Sequence, residues 1–164
     1  MHTIRRLLVV LLALVVVPTA TATFSVTITS SSPQTFAGIT LNGLDQTATV
    51  NITVKVVNTG AANGTGWNVT AAAGLPTVGA NTLSALQVTG VTNANCTGVG
   101  CVNPTNNVTW PQTLAVGGVK IFNAAAGTGT GADILTATLQ ITYDAKALPG
   151  LYKSTLTVAG AQSP

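Results

Sequence analysis

Thr47-Ala48-Thr49-Val50-Asn51-Ile52-Thr53-Val54-Lys55-Val56-Val57-Asn58 is the stretch that decides the fold. In an extended chain Ala48, Val50, Ile52, Val54 and Val56 point one way, while Thr49, Asn51, Thr53 and Lys55 point the other. A period of two with apolar residues on one side predicts a strand that has one dry face and one wet face. Lys55 falls on the wet face. Some surface-fibre domains link a buried Lys covalently to an Asn, and this placement argues against such a cross-link here.

The same alternation recurs in Phe24-Val26-Ile28, Trp67-Val69-Ala71, Leu135-Ala137-Leu139-Ile141-Tyr143 and Tyr152-Ser154-Leu156-Val158. Shorter strands are predicted over residues 83–89, 108–110 and 119–122. Between them lie stretches rich in Gly, Asn and Pro, at residues 58–66, 74–81, 90–107, 124–132 and 144–150, which are expected to be turns and loops. No segment keeps a helical period. Short antiparallel strands that each have one apolar face must bury those faces against one another. The sequence therefore predicts an all-β fold: a single antiparallel β-sandwich of immunoglobulin-like, Greek-key type.

The full chain has 164 residues, of which 46% are hydrophobic and 5% charged, enough for one domain with a core. Its N-terminus reads as an export signal. Arg5 and Arg6 precede an unbroken apolar run over residues 7–17, and Pro18-Thr19-Ala20-Thr21-Ala22 ends in Ala-x-Ala. An apolar run of that length spans only ~16 Å as a helix, about half a bilayer core, so a membrane anchor is disfavoured. Cleavage after Ala22 is expected, which leaves residues 23–164 as the mature domain. No later stretch is apolar over membrane length. The C-terminal residues show neither a hydrophobic tail nor a sortase signal, so any attachment to a surface is expected to be non-covalent.

Beyond Ala22 the ionisable set is small: four Lys and three Asp, a net charge of 4 − 3 = +1, with no Arg, Glu or His. A His-based triad, a His-ligated zinc, a Glu/Glu glycosidase pair and an arginine clamp on phosphate all lack their residues. Four scattered Lys neutralise too few phosphates for nucleic-acid binding. Asp45, Asp133 and Asp144 are spread over separate turns or strand edges, so neither a carboxyl pair nor a calcium site is expected. Asp133 follows Gly127-Thr128-Gly129-Thr130-Gly131 and reads as a capping residue of a Gly-rich loop. Ser154 beside Lys153 cannot form a Ser-Lys pair on a regular strand, because neighbours point to opposite faces. The expectation is a protein without catalysis and without a cofactor or metal.

Cys96 and Cys101 are the only cysteines, and in an oxidising compartment they are expected to form a disulfide that stiffens one loop. The two tryptophans are the aromatic candidates for ligand contact. Trp67 opens an alternating strand and reads as a core residue; Trp110, before Pro111, is the better candidate of the two for a surface contact, although the core reading leads for it as well.

Two stretches resemble a known family. Gly66-Trp67-Asn68-Val69-Thr70 is similar to the segment that carries the first signature tryptophan of the WxL domain family. The second begins at Gly117-Gly118-Val119, continues through Ala124-Ala125-Ala126-Gly127-Thr128-Gly129 and a strand ending near Tyr143, and finishes with Pro149-Gly150-Leu151-Tyr152-Lys153-Ser154-Thr155-Leu156-Thr157-Val158. Its order and spacing resemble the C-terminal half of the family. Val69 stands in place of the Leu of the first motif, and Val158-Ala159-Gly160 stands where a second Trp-x-Leu would be. The resemblance implies a secreted bacterial β-sandwich associated non-covalently with the cell wall, peptidoglycan in particular. Of the motif tryptophans only Trp67 carries over, so weak wall retention is expected. Two functions are in view: a binding module for wall polymer or a partner surface protein, and, as the alternative, a subunit that assembles with its own copies into a surface layer or fibre.

Overall fold

The structure is a computed structural model that describes residues 23–59 and 64–162. The predicted signal peptide lies outside the described residues. The deciding stretch forms β2 (Gln46–Thr59), and Ala48, Ile52, Val54 and Val56 are buried as its alternation predicts. Lys55 between them is exposed.

β2 pairs on one side with β1 (Thr23–Ile28) and on the other with β9 (Thr130–Tyr143), both antiparallel. β9 in turn pairs with β6 (Gln87–Val102), and β6 with the short β7 (Gln112–Thr113). The result is a five-stranded sheet in the order β1-β2-β9-β6-β7. A second sheet has β3 (Trp67–Ala73) at its centre, flanked by β10 (Leu156–Ala161) and β8 (Val119–Ala124). β4 (Thr77–Val78) and β5 (Asn81–Thr82) form a small separate hairpin. All ladders are antiparallel, and no helix occurs among the described residues.

The two larger sheets face each other across one apolar core. Ile52, Val54 and Val56 of β2 and Leu135, Ala137, Leu139 and Ile141 of β9 form one side of it. Trp67, Val69 and Ala71 of β3 and Ile121 and Phe122 of β8 belong to the same cluster. This is the predicted all-β antiparallel sandwich. Along one side the layers are keyed by a missing side chain: a Cβ added at Gly160 of β10 would collide with Val26 of β1. Phe24 and Val26 rest against the core there.

Several local expectations change. Residues 83–86, expected in a strand, precede β6, and residues 74–81, expected to be a loop, hold β4 and the start of β5. Residues 90–107 and 124–132 were expected to be loops, yet β6 runs on to Val102 and β9 begins at Thr130. The pairing of Asn93 with Leu135, Thr97 with Ala132 and Val102 with Thr130 supplies ladder partners that local composition does not reveal. Register shifts between Ala94 and Thr97 and between Thr97 and Val102 take up the extra residues. Residues 108–110 do not form a strand. Just ahead of them, Asn106 Oδ1 accepts the Asn123 N–H at 3.0 Å and the Asn107 N–H donates to Asn123 Oδ1 at 2.8 Å, so side chains cover the edge of β8 instead. Tyr152 precedes β10 rather than belonging to it, and Lys153 makes only an isolated bridge to Thr77.

Candidate functional site

The registers define two ends of the sandwich. Gln46 lies opposite Tyr143, Gln87 opposite Gln140, and Ala71 opposite Val119, so the loops around residues 40–45, 74–86, 114–118 and 144–155 share one end. Thr23, Thr59, Trp67 and the Gly127–Gly131 segment share the other.

The Cys96–Cys101 disulfide forms, with Cα atoms 6.0 Å apart, on the part of β6 that lies at the second end. The Thr130 hydroxyl donates to Gly100 O at 3.0 Å, and the Cys96 N–H donates to Asn103 Oδ1 at 2.8 Å, tying the bridge to β9 and to its own flank.

Trp67 and Val69, the residues that carry the first motif, are wholly buried. The Trp67 ring stacks on Phe122 with centroids 5.8 Å apart, and its indole N–H donates to Gly129 O at 2.7 Å. Both side chains serve the core, and neither reaches a ligand in the folded domain. Trp110 is half-buried: its ring rests against the core and its N–H donates to Ile121 O at 3.0 Å. Tyr143 and Tyr152 meet edge to face at 6.4 Å against the same core.

Gly129 is the hub of the second end. Its carbonyl also accepts the Asn58 Nδ2–H at 3.0 Å, and Asn58 Oδ1 accepts from Gln162 at 2.9 Å. Gly129 has φ +66°, and an added Cβ would overlap the Trp67 indole nitrogen and the Ala124 methyl. Gly129→Ala is therefore expected to cost about 2 kcal/mol from the left-handed backbone and the overlap. Urea denaturation checks this, and a change below roughly 0.5 kcal/mol would show that the loop moves aside freely.

Asp133 departs most from expectation. It is not a loop cap: it lies in β9 opposite Val56, points inward with Leu135 and Ala137, and is 0% exposed. Burial pushes its carboxyl up from 3.8 to about 6, opposed by a hydrogen bond from Asn93. Its Oδ1 lies 3.3 Å from Asn93 Nδ2, and its Oδ2 has no partner among the described residues. The sequence signal that finds it is parity, since residue 133 shares the face of Leu135. The other two acids are exposed, and Asp45 Oδ1 accepts the Ala145 N–H at 2.7 Å. Among the described residues no three His, Cys, Asp or Glu side chains gather into a metal-sized cluster.

What the surface offers for recognition is of two kinds. The first end carries exposed Leu44, Leu75, Val116, Leu148 and Leu151 on its loops. An open groove of about 620 Å³ lies there, with Ala73, Leu75, Val116, Lys153 and Thr155 among its lining residues. The outward face of the five-stranded sheet is an array of hydroxyl and amide groups along residues 49–53 and 136–140, and turns apolar around Lys55, where Val57, Ala94 and Ile134 share it. No helix among the described residues is long and apolar enough to cross a membrane. No family model matches this chain, and neither a curated protein nor a solved structure matches it.

Proposed function

We propose that this protein is a secreted, non-catalytic binding module of the bacterial cell surface, associated non-covalently with cell-wall peptidoglycan or with a partner surface protein. The observation that carries the proposal is where the WxL-like stretches lie. Gly66–Thr70 runs into β3, residues 117–129 contain β8, and the last stretch runs into β10. β3 pairs with both β8 and β10, so these three segments form one continuous sheet with the Trp67 side chain in the core, and the remaining resembling strand, β9, belongs to the sheet that faces it. A surface disulfide and the signal-like N-terminus support export. The scatter of the three Asp supports a role without catalysis.

Self-assembly is the second reading, favoured by a specific feature. β1 and β10 are edge strands with few charges to keep another strand away. A pull-down on complete cell envelopes, run beside sizing of the mature domain at several concentrations, separates the two. Retention of a monomer is the expected result. Concentration-dependent polymers that envelopes do not retain would replace the binding module with the assembling subunit.

A further inference from the structure

The register of the five-stranded sheet turns a Thr-rich composition into ordered rows. Thr92 of β6 lies opposite Thr136 of β9, which lies opposite Thr53 of β2, and the N–H of Thr29, just beyond β1, donates to Thr53 O at 2.8 Å. Val91 and Ile52 are buried beside these threonines, so the hydroxyls face outward. Four threonines thus stand abreast, each about 4.8 Å from the next, the spacing of neighbouring strands. In the adjoining row, roughly 6.7 Å along the strands, Thr138 lies opposite Asn51 and donates its hydroxyl to Asn51 Oδ1 at 2.9 Å. A third row aligns Gln87, Gln140 and Thr49.

This face is nearly free of charge. Within the five strands the charged residues are Lys55, which is exposed, and Asp133, which points into the core. An anionic polymer would gain a single ion pair there, and an exposed pair is worth under about 1 kcal/mol. Hydroxyls and carboxamides both donate and accept, and each Thr adds a methyl group beside its hydroxyl. The complementary partner is uncharged, rich in groups that both donate and accept, and periodic on the scale of the strand spacing. An extended β-1,4-linked glycan chain has these properties: successive rings are turned over, so each edge repeats its hydroxyl and acetamido groups every second ring, about twice the strand spacing. The apolar residues of this face, Val57, Ala94, Ala132 and Ile134, lie around Lys55 toward the other end of the sheet, so a second copy fits the threonine rows less well, because there it would bury hydroxyls against one another.

We infer that the Thr/Asn/Gln face of the five-stranded sheet is a binding surface for neutral glycan strands, laid across the strands along the Thr92-Thr136-Thr53-Thr29 row. The inference rests on the reading of the protein as an envelope-binding module and names the part of the envelope it grips. Trp67 and Val69 have no contact role in it.

The test compares the mature domain with a Thr53→Val/Thr136→Val/Thr138→Val variant on two insoluble probes: chitin, and peptidoglycan sacculi stripped of anionic polymers. Valine keeps the branched shape and the strand preference while removing the hydroxyl, so an unchanged denaturation midpoint certifies the fold. The parent is expected to be retained on both probes, the variant about ten-fold less, and Lys55→Ala or about 0.5 M salt to leave retention unchanged. Equal retention of parent and variant would overturn the inference, as would retention abolished by salt or by Lys55→Ala. Binding to complete envelopes but to neither probe would overturn the glycan surface and leave the envelope module standing. Absence of retention on all three materials would overturn both. Concentration-dependent association of the parent that the variant loses, with no retention on either probe, would reassign the face to contacts between copies.

Discussion

Trp67→Ala is expected to destabilise the domain by roughly 3 to 5 kcal/mol, the range for emptying a buried aromatic site. The indole is wholly buried between the sheets, stacked on Phe122, so its removal leaves a cavity that a close-packed core fills only in part. Its N–H donates to Gly129 O, which keeps the Asn58 amide as a second donor. Trp67→Phe therefore leaves no acceptor unpaired, and it should cost about 1 to 2 kcal/mol, mostly for lost volume and one hydrogen bond. Urea denaturation of the three proteins with the disulfide intact measures both numbers. A loss below about 1 kcal/mol for Trp67→Ala would take the ring out of the core and return it to the ligand candidates. The same contacts hold the Gly127–Gly131 segment to β3.

The strands whose pattern is local were legible in the sequence. β2, β3 and the greater part of β9 alternate within their own residues, and their inward sets are the buried ones. What stayed hidden depends on pairing between distant segments. The tail of β6 looks like a loop because Gly98, Gly100 and the two cysteines interrupt its pattern, and it is held extended by β9, some thirty residues further along the chain. Asp133 was read as a loop residue because three glycines precede it, although β2 and β6 enclose it on either side. The outward face shows the same division. Each strand announces its own threonines, but whether they align in rows is a property of register, which no single strand carries. Trp110 lay between the two cases: its position beside Pro111 left both a core place and a surface contact open, and its bond to Ile121 holds it half inside.

The domain is expected to lose roughly 3 kcal/mol of stability between pH 4 and pH 8 because of Asp133 alone. Its carboxyl is raised from 3.8 to about 6 in the folded state, first by burial, with the Asn93 hydrogen bond working the other way. The folded protein therefore binds the proton more tightly than the unfolded chain does. The stabilisation is complete below about pH 4, falls as pH rises through the folded value near 6, and is absent above it. A rise of about two units corresponds to about 3 kcal/mol at 1.36 kcal/mol per unit. Among the described residues no cation faces the group to hold it ionised. Val56 lies opposite on β2, Lys55 beside it points to solvent, and β6 contributes Asn93. The Asn93 amide favours the protonated form in one of its two orientations. Turned over, its nitrogen donates to Ala94 O at 2.8 Å and Ile134 O at 3.2 Å, and its oxygen then faces Asp133, where a carboxylic O–H can donate. Asp133→Asn is neutral at every pH, so its stability should be nearly flat between pH 5 and pH 8 and exceed the parent's at pH 8. Denaturation midpoints for both proteins across that range give the comparison. A parent that is equally stable at pH 5 and pH 8, or a variant with the same slope as the parent, would show that Asp133 does not carry the pH dependence.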